Sequence, residues 1–223
     1  MKKLLVAALA ACVFTFTASL YAQEGQPLNQ LTPQEEELGF ELLFDGGPLS
    51  PEIWQSSIDG YPVKDGYFVC DRGGNLQTKK AYSDFIFRFE FKLPKNGNNG
   101  VGIRTTSPNL DAAYHGMELQ IIDDDYPNLQ EWQHHGSIYG VVPAKVGSLK
   151  PIGEWNYEEI IAIGPFIKVI VNGQLIVDAD ITNVKPIHDA EHPGLHNKSG
   201  FIGFLGHGDP VEFRNVRILD LSK

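Results

Sequence analysis

The chain has 223 residues, a formal net charge of −10 and a hydrophobic content of 42%. This length and apolar content suffice for one domain with its own core, and all-β domains of this size are commonly single. The acidic balance argues against nucleic acid or an anionic membrane as a partner, because surfaces of like charge repel each other. We therefore expect a globular protein that does not bind nucleic acid.

The first 22 residues have the composition of a secretory signal peptide. A basic start precedes an apolar run over residues 4–20, and Ala22 is the small residue before the expected cleavage. A lipoprotein signal is the alternative, since residues 9–12 resemble the sequence around a lipidated cysteine, but the apolar run continues past Cys12. We expect an exported protein, periplasmic or at the cell surface. The mature chain has no other stretch of the about 18 apolar residues that a membrane span needs.

Cleavage after residue 22 would leave 16 basic and 28 acidic side chains and a net charge of −12. Cys70 would be the only cysteine, which excludes an internal disulfide and leaves stability to the core. Residues 23–38 are polar and carry an acidic run at 34–37, which predicts a solvated N-terminal tether. The folded domain is expected to span residues 39–223.

Alternation with a period of two is the dominant pattern along this domain. Residues 85–92 place four phenylalanines on one face and charged residues on the other, which predicts a half-buried strand. Residues 166–177 predict a hairpin closed by Asn172-Gly173, a favoured two-residue turn. Further strands are expected at 160–163, 200–205 and 211–219. Many short strands without a long helical period predict an all-β jelly-roll sandwich of two sheets. Trp54 is assigned to packing.

Polar residues alternate with apolar ones in the strand predicted at residues 117–123. Because successive side chains of a strand point to opposite faces, Glu118, Gln120 and Asp123 are expected on an outer surface that forms a candidate sugar site. Residues 101–104 repeat the arrangement, and Arg104 is expected on the outer face of a neighbouring strand. Arg104, Glu118 and Gln120 are therefore predicted to share one pocket.

Six segments, in order, resemble the motifs of the 3-keto-disaccharide hydrolase family: residues 39–46, 99–104, 118–123, 153–156, 171–173 and 213–218. The resemblance implies a concanavalin-like jelly roll of two antiparallel sheets, an exported bacterial location, and 3-keto-glucoside 1,2-lyase or 3-keto-2-hydroxy-glucal hydratase chemistry. Two positions depart from the family pattern. Residues 204–207 are Phe-Leu-Gly-His where many members have Leu-Gln before His-Gly, and Asn99 lacks the usual neighbouring serine.

The implied reaction sets requirements for the site. A ketone at C3 of a sugar acidifies the C2 proton, so a base can remove it, the C1 substituent leaves and water adds back. The site needs a base of tuned pKa, a cation or donor at the developing oxyanion, and a proton source for the leaving oxygen. The expected catalytic residues are Glu118, His207, Arg104 and Asp123, without assigned roles, and the expected substrate-binding residues are Gln120, His115, Tyr139, Trp155 and Asn99. The resemblance also implies that His207 joins Arg104, Glu118 and Gln120 in their pocket.

Ordinary structural roles compete with these assignments. Arg104 and Glu118 could form a cross-strand ion pair, and His207 stands between two glycines in a predicted turn. Residues 123–125 could bind calcium, although a solvated turn is the simpler interpretation.

His188, His192 and His196 would align only on a helix that Pro193 and Gly194 interrupt. Trp132, Tyr139 and Trp155 could stack on sugar rings or pack in the core. No cofactor motif is evident, and a divalent metal stays possible.

Two other functions remain open from the residues. The spacing Glu118-x-Gln120-x-x-Asp123 is similar to the paired-carboxylate strand of jelly-roll retaining glycosidases. A noncatalytic carbohydrate-binding module is the other alternative, since fold does not imply function. If the substrate is a 3-keto-glucoside, a separate oxidoreductase must produce it, which makes that enzyme a pathway partner.

Overall fold

Antiparallel strand pairing builds two sheets in the computed structural model, which describes residues 27–187 and 191–222. Two short helices, α1 (Pro33–Leu38) and α2 (Ala112–His115), and the 3-10 turns Ile58–Gly60 and Glu131–Gln133 interrupt the strands. The strands in chain order are β1 (Glu41–Leu42), β2 (Trp54–Ser56), β3 (Val63–Lys64), β4 (Tyr67–Val69), β5 (Gly74–Thr78), β6 (Phe85–Lys92), β7 (Asn98–Thr105), β8 (Met117–Ile122), β9 (Trp155–Ile163), β10 (Phe166–Val171), β11 (Gln174–Asp180), β12 (Phe201–Gly206) and β13 (Glu212–Asp220).

Strands that are neighbours in a sheet are often distant in sequence. Among the described residues, an eight-stranded sheet has the order β11-β10-β9-β6-β13-β4-β3, with β1 also paired to β13. A five-stranded sheet has the order β2-β5-β12-β7-β8. The two sheets pack face to face around one core, and the predicted all-β jelly-roll sandwich is confirmed.

Aromatic side chains fill the space between the sheets. The four phenylalanines of β6 are fully buried, as their alternation predicts, and each contributes about 1.5–3 kcal/mol of hydrophobic free energy. Phe204 of the five-stranded sheet meets Phe213 of the eight-stranded sheet with ring centroids 4.1 Å apart. Trp54 is also fully buried, and its indole nitrogen donates to the Leu43 carbonyl at 3.0 Å. Its assignment to packing is confirmed.

The hairpin predicted at Asn172-Gly173 is present. Both residues have positive φ values, 49° and 83°, as a two-residue turn between right-twisted strands requires. Val171 and Gln174 close the turn as a cross-strand pair.

The prediction of a solvated tether up to residue 38 is wrong for residues 27–38. Thr32 and Glu35 form a capping box that starts α1, and only 3% of Glu35 is exposed. Its carboxylate accepts from Arg217 at 2.6 Å and from Arg88 at 3.0 Å on the outer face of the eight-stranded sheet. The acidic run thus contains one buried residue that forms ion pairs with two arginines from distant strands. The predicted signal peptide, residues 1–22, lies outside the described residues.

An apolar cluster accompanies this ionic contact on the same outer face. Leu31 and Phe40 of the N-terminal segment pack against side chains from β6, β9, β10 and β13: Ile86, Ile161, Ile170 and Leu219. The segment therefore belongs to the folded unit. Across residues 27–187 and 191–222 the model contains no helix with the length and apolar character to cross a bilayer.

Candidate active site

Strand register brings Glu118 and Gln120 to the outer face of the five-stranded sheet. The alternate apolar residues of β8 belong to the core cluster, so these two side chains point away from it. Strand β7 pairs Gly102 with Glu118 and Gly100 with Gln120. Because glycine has no side chain, β7 leaves a depression in the sheet surface beside both residues, and the side chain of Glu118 extends over Gly100.

A carboxylate and an imidazole meet in this depression. Oε1 of Glu118 lies 3.9 Å from Nε2 of His207, which is an ion-pair distance longer than a hydrogen bond. The Glu118 side chain is 7% exposed and the His207 side chain 51%, so the histidine faces solvent over a buried acid. The expectation that His207 lies beside Glu118 therefore agrees with the geometry.

The environment shifts the pKa of both groups upward. Burial raises the pKa of Glu118 above its usual value, and the nearby His207 opposes this only in part. The Glu118 carboxylate raises the pKa of His207 more than burial lowers it. The pair can therefore exchange a proton at a pH closer to neutrality than an isolated carboxyl group would allow.

Gln120 holds the carboxylate in place. In the amide orientation that satisfies both neighbours, its nitrogen donates to Oε1 of Glu118 at 3.2 Å and to the Asn99 carbonyl at 3.1 Å. Gln120 is 4% exposed, so this contact is shielded from water. It orients the acid and is largely hidden from a ligand.

A cavity of about 280 Å³ lies over the pair. Its walls include three residues that the sequence analysis did not select: Asn75, Asp111 and Leu205. Asn75 and Leu205 face each other across β5 and β12. Asp111 caps α2, accepting from the Ala113 amide at 3.0 Å. The N-cap pattern before a short apolar segment is the signal that could have marked Asp111 in the sequence.

Tyr139 lies beside Glu118 on the outer face. An antiparallel bridge joins Leu119 to Ile138, and the Tyr139 amide donates to the Glu118 carbonyl at 2.9 Å. By this register Tyr139 stands opposite Glu118 and shares its face. Burial raises the pKa of Tyr139, and a hydrogen bond with Gln133 opposes this rise only in part. The Trp132 ring packs edge-on against the Tyr139 ring, with ring centroids 5.0 Å apart. The structure thus places Tyr139 beside Glu118 on the outer face, although it does not line the cavity, and places Trp132 next to it.

Arg104 does not share this pocket, and the expectation that it would is wrong. Its φ of 54° and the irregular pairing between β12 and β7 break the strand alternation, so the side chain turns to the edge of the sandwich. The guanidinium donates to the Ser83 carbonyl at 2.8 Å and 3.1 Å and to the Gly164 carbonyl at 2.7 Å. It also lies 3.6 Å from Asp84. Arg104 ties the two sheets together.

Asn99 and Trp155 also lie away from the pocket. Asn99 is fully buried on the core face of β7, where its side chain contacts the Tyr61 hydroxyl. Trp155 lies on the outer face of the other sheet, with the Arg214 guanidinium 4.0 Å and the Lys92 ammonium 4.9 Å from its ring centroid. Strand parity directs Asn99 into the core, and Trp155 belongs to the other sheet, so neither side chain lines this cavity.

Asp123 closes a turn beyond the end of β8. Its two carboxylate oxygens accept from the amides of Asn96 at 2.8 Å and Asp125 at 3.0 Å. A place beside Glu118 is wrong for Asp123, because the strand ends at Ile122 and the alternation ends with it.

His115 ends α2, and its Nδ1 lies 3.2 Å from the Asp111 carbonyl. It stands one helical turn from the cavity wall and does not line the cavity. No group of three or more His, Cys, Asp or Glu side chains suited to a metal occurs within residues 27–187 and 191–222. His188 is outside the described residues, and the ring of His192 lies 5.0 Å from that of Tyr114.

Comparison with known proteins identifies the family. The model of the 3-keto-alpha-glucoside-1,2-lyase-like domain matches residues 39–219. The chain belongs to this family. A curated relative, the 3-keto-disaccharide hydrolase of Bacteroides thetaiotaomicron, is 26% identical over a match of 178 residues, and the match covers 66% of this chain and 61% of that protein. The chain thus matches less than two thirds of the length of this relative.

Solved structures of similar proteins have the same fold. A crystal structure of a candidate glycosyl hydrolase from Parabacteroides distasonis has a TM-score of 0.77 and 26% identity, covering 88% of this chain and 100% of its own. A second such structure from the same organism has a TM-score of 0.73 and 28% identity, covering 82% and 99%. These two proteins therefore share the fold of this chain over most of its length.

Proposed function

We propose that the chain is a carbohydrate-active enzyme that cleaves 3-keto-glycosides by elimination and hydration, with net hydrolysis. The observation that carries the proposal is the pairing of Glu118, a buried carboxyl group of raised pKa, with His207 in a cavity of a lyase-like family member. One group can take a proton while the other supplies one, and both reaction steps need this pair of roles.

The electron balance of the reaction is simple. A base removes the C2 proton, and the electron pair delocalises onto the C3 oxygen as an enediolate. The pair then forms the C1–C2 double bond, the bond from C1 to the leaving oxygen breaks, and that oxygen takes a proton. Water next adds at C1, and a proton returns to C2. The products are a 3-keto-sugar and the released alcohol, with no change in oxidation state.

Glu118 is assigned as the base and His207 as the proton donor. The raised pKa of Glu118 makes it a stronger base than an exposed carboxylate, and Gln120 fixes its direction. The raised pKa of His207 keeps the imidazolium populated for the leaving oxygen. Arg104 is committed to backbone carbonyls, so the Asn75 amide, which lines the cavity, is assigned to the developing oxyanion. Asp111 and Tyr139 are assigned to sugar hydroxyls.

The cellular setting forms part of the proposal. The N-terminal pattern supports export to the periplasm or the cell surface with cleavage after Ala22, and N-terminal sequencing of the exported protein tests it. The 3-keto-glucoside must come from a separate oxidoreductase acting on an ordinary glycoside. A metal titration on chelated protein tests whether a divalent ion is required.

The reaction is tested with a glucoside and, separately, its 3-keto derivative in deuterated water. Cleavage of the keto form alone, with deuterium entering C2 of the sugar product, is the expected result. Glu118→Gln should reduce turnover about 10²–10⁴-fold. Label exchange that persists in Glu118→Gln and vanishes in His207→Ala would make the histidine the base.

Retaining glycoside hydrolysis is a second candidate, because Asp111 and Glu118 both line the cavity. Cleavage of the ordinary glucoside, with no label at C2, would favour it over elimination. Binding of both sugars without turnover would favour a noncatalytic module instead.

A further inference from the structure

His135 and Glu158 form a titratable pair inside the apolar core. Glu158 lies on the inward face of β9 and is fully buried, and His135 is 2% exposed. Nε2 of His135 lies 3.2 Å from Oε2 of Glu158. The imidazole also stacks on the Phe91 ring, with centroids 4.9 Å apart and an interplanar angle of 26°. The proposed mechanism uses neither residue.

A buried ion pair is costly to desolvate, and such pairs in general add little net stability over an apolar pair. Removing two charges from water costs several kcal/mol for each ion, and an apolar pair of similar volume often stabilises a core equally well. The contact is not a well-aligned hydrogen bond, and neither ring nitrogen nor either carboxylate oxygen has a hydrogen-bond partner among the described residues. A role in fixing position explains the pair better than a role in stability.

The backbone around His135 continues the five-stranded sheet beyond β8. The Gly136 amide donates to the Gln120 carbonyl at 2.7 Å, and the Gln120 amide donates to the Ser137 carbonyl at 3.0 Å. The Tyr139 amide donates to the Glu118 carbonyl at 2.9 Å. Residues 134–139 thus form a sheet edge, named here the edge segment, that carries Tyr139 to the candidate site.

We propose that His135 and Glu158 are positioning residues that hold the edge segment against β8. The core strand β9 supplies a fixed carboxylate, and the imidazole reaches it from the edge segment across the space between the sheets. The pair thereby sets the place of Tyr139 beside Glu118. The effect on turnover rests on the proposed function, whereas the effect on the edge segment does not.

The structural part is tested by hydrogen exchange at single amides. Glu158→Leu should speed exchange of the Gly136 and Tyr139 amides at least about tenfold relative to the amides of β6. Glu159→Leu is the matched control, because Glu159 is the next residue of β9, points to the opposite face and pairs with Arg88. Equal protection of the edge segment in the two variants would overturn the proposal.

The functional part is tested with a 3-keto-glucoside. Glu158→Leu should lower kcat/KM about tenfold per folded protein, because a small displacement of a site residue has a large effect on rate. Glu158→Gln, whose amide oxygen can accept from the imidazole, should recover most of this loss, and Glu159→Leu should not show it. The double variant Tyr139→Phe/Glu158→Leu should show a fold reduction in kcat/KM smaller than the product of the fold reductions in the two single variants.

The outcomes separate the two proposals. If the wild-type protein turns over no 3-keto-glucoside, the proposed function is wrong and the exchange experiment still decides the role of the pair. If turnover occurs and Glu158→Leu matches Glu159→Leu in both kcat and KM, the pair is structural only and the positioning role is wrong.

Discussion

Gly100 leaves open the space that the side chain of Glu118 occupies. A Cβ atom at position 100 would lie 2.1 Å from Oε1 of Glu118 and 2.8 Å from its Cγ and Cδ. Such distances are far inside van der Waals contact, so the carboxylate and a side chain at position 100 exclude each other. The glycine of β7 therefore determines where the acid of β8 points.

Gly100→Ala should disable the site without unfolding the protein. The residue has no positive φ, so alanine fits the strand backbone while it displaces the carboxylate from His207 and Gln120. A displacement of about 1 Å predicts a loss of about 10²-fold in kcat. Val101→Ala is the control, since it faces the core on the same strand and should cost stability with unchanged kcat per folded protein. Unchanged kcat in Gly100→Ala would contradict the assignment of Glu118.

Local periodicity explains why part of the site was predictable. Glu118 and Gln120 follow the alternation of an uninterrupted strand, so residue parity alone assigned their face. Arg104 has the same parity, but a left-handed backbone angle and a register shift redirect its side chain. Neither feature leaves a pattern in a single sequence.

Long-range contacts explain the rest of what the sequence did not reveal. Glu35 is buried because its arginine partners arrive from positions 53 and 182 residues later in the chain. Asp111 is the N-cap of α2 and lies outside any strand, so no strand periodicity marks the direction of its side chain. The jelly roll itself was predictable, because many alternating strands have few other ways to bury one face.

Replacing Glu118 should lower the pKa of His207. The Glu118 carboxylate is the main cause of the raised pKa, so in Glu118→Gln burial lowers the pKa against only the smaller raising effects of Asp209 and Asp111. The pKa of His207 is raised in the folded state, so protonated His207 stabilises the fold. This stabilisation is complete below the ordinary pKa of 6.5 and is lost as pH rises through the folded pKa. The stability gap between wild type and His207→Ala should therefore narrow with rising pH. NMR titration of the His207 ring checks the first result, and an unchanged pKa would contradict it.

Arg104→Met should weaken the fold and leave turnover unchanged. The variant removes the side-chain donor from the part-exposed carbonyls of Ser83 and Gly164, at a cost of about 1 kcal/mol for each hydrogen bond lost. Denaturant unfolding measures this loss, and kcat per folded protein serves as the control. A fall in kcat with unchanged stability would contradict this structural role and support a catalytic role for Arg104.

Glu35→Gln should destabilise the protein most at neutral pH. Burial raises the pKa of Glu35, but Arg217, the Thr32 amide and Arg88 together outweigh it, and the net pKa is lowered. Breaking a buried ion pair predicts a loss of about 3–5 kcal/mol. A lowered pKa gives stability that is complete above the ordinary value of 4.5 and is lost as pH falls through the folded pKa. Urea unfolding at about pH 7 and about pH 3 should show that the difference in unfolding free energy between wild type and Glu35→Gln is smaller in acid.

Two substitutions at Asp111 test helix capping and sugar binding separately. Asparagine caps a helix about as well as aspartate, so Asp111→Asn should keep the unfolding free energy, whereas Asp111→Ala should lose about 1 kcal/mol. If the carboxylate binds a sugar hydroxyl, both variants lose a charged hydrogen bond and KM should rise about tenfold or more. Asn109→Ala, on the same cavity wall, controls for general disturbance of the loop. A KM that is unchanged in Asp111→Asn would leave Asp111 with the cap alone, since the isosteric amide removes the charge and keeps the helix start intact.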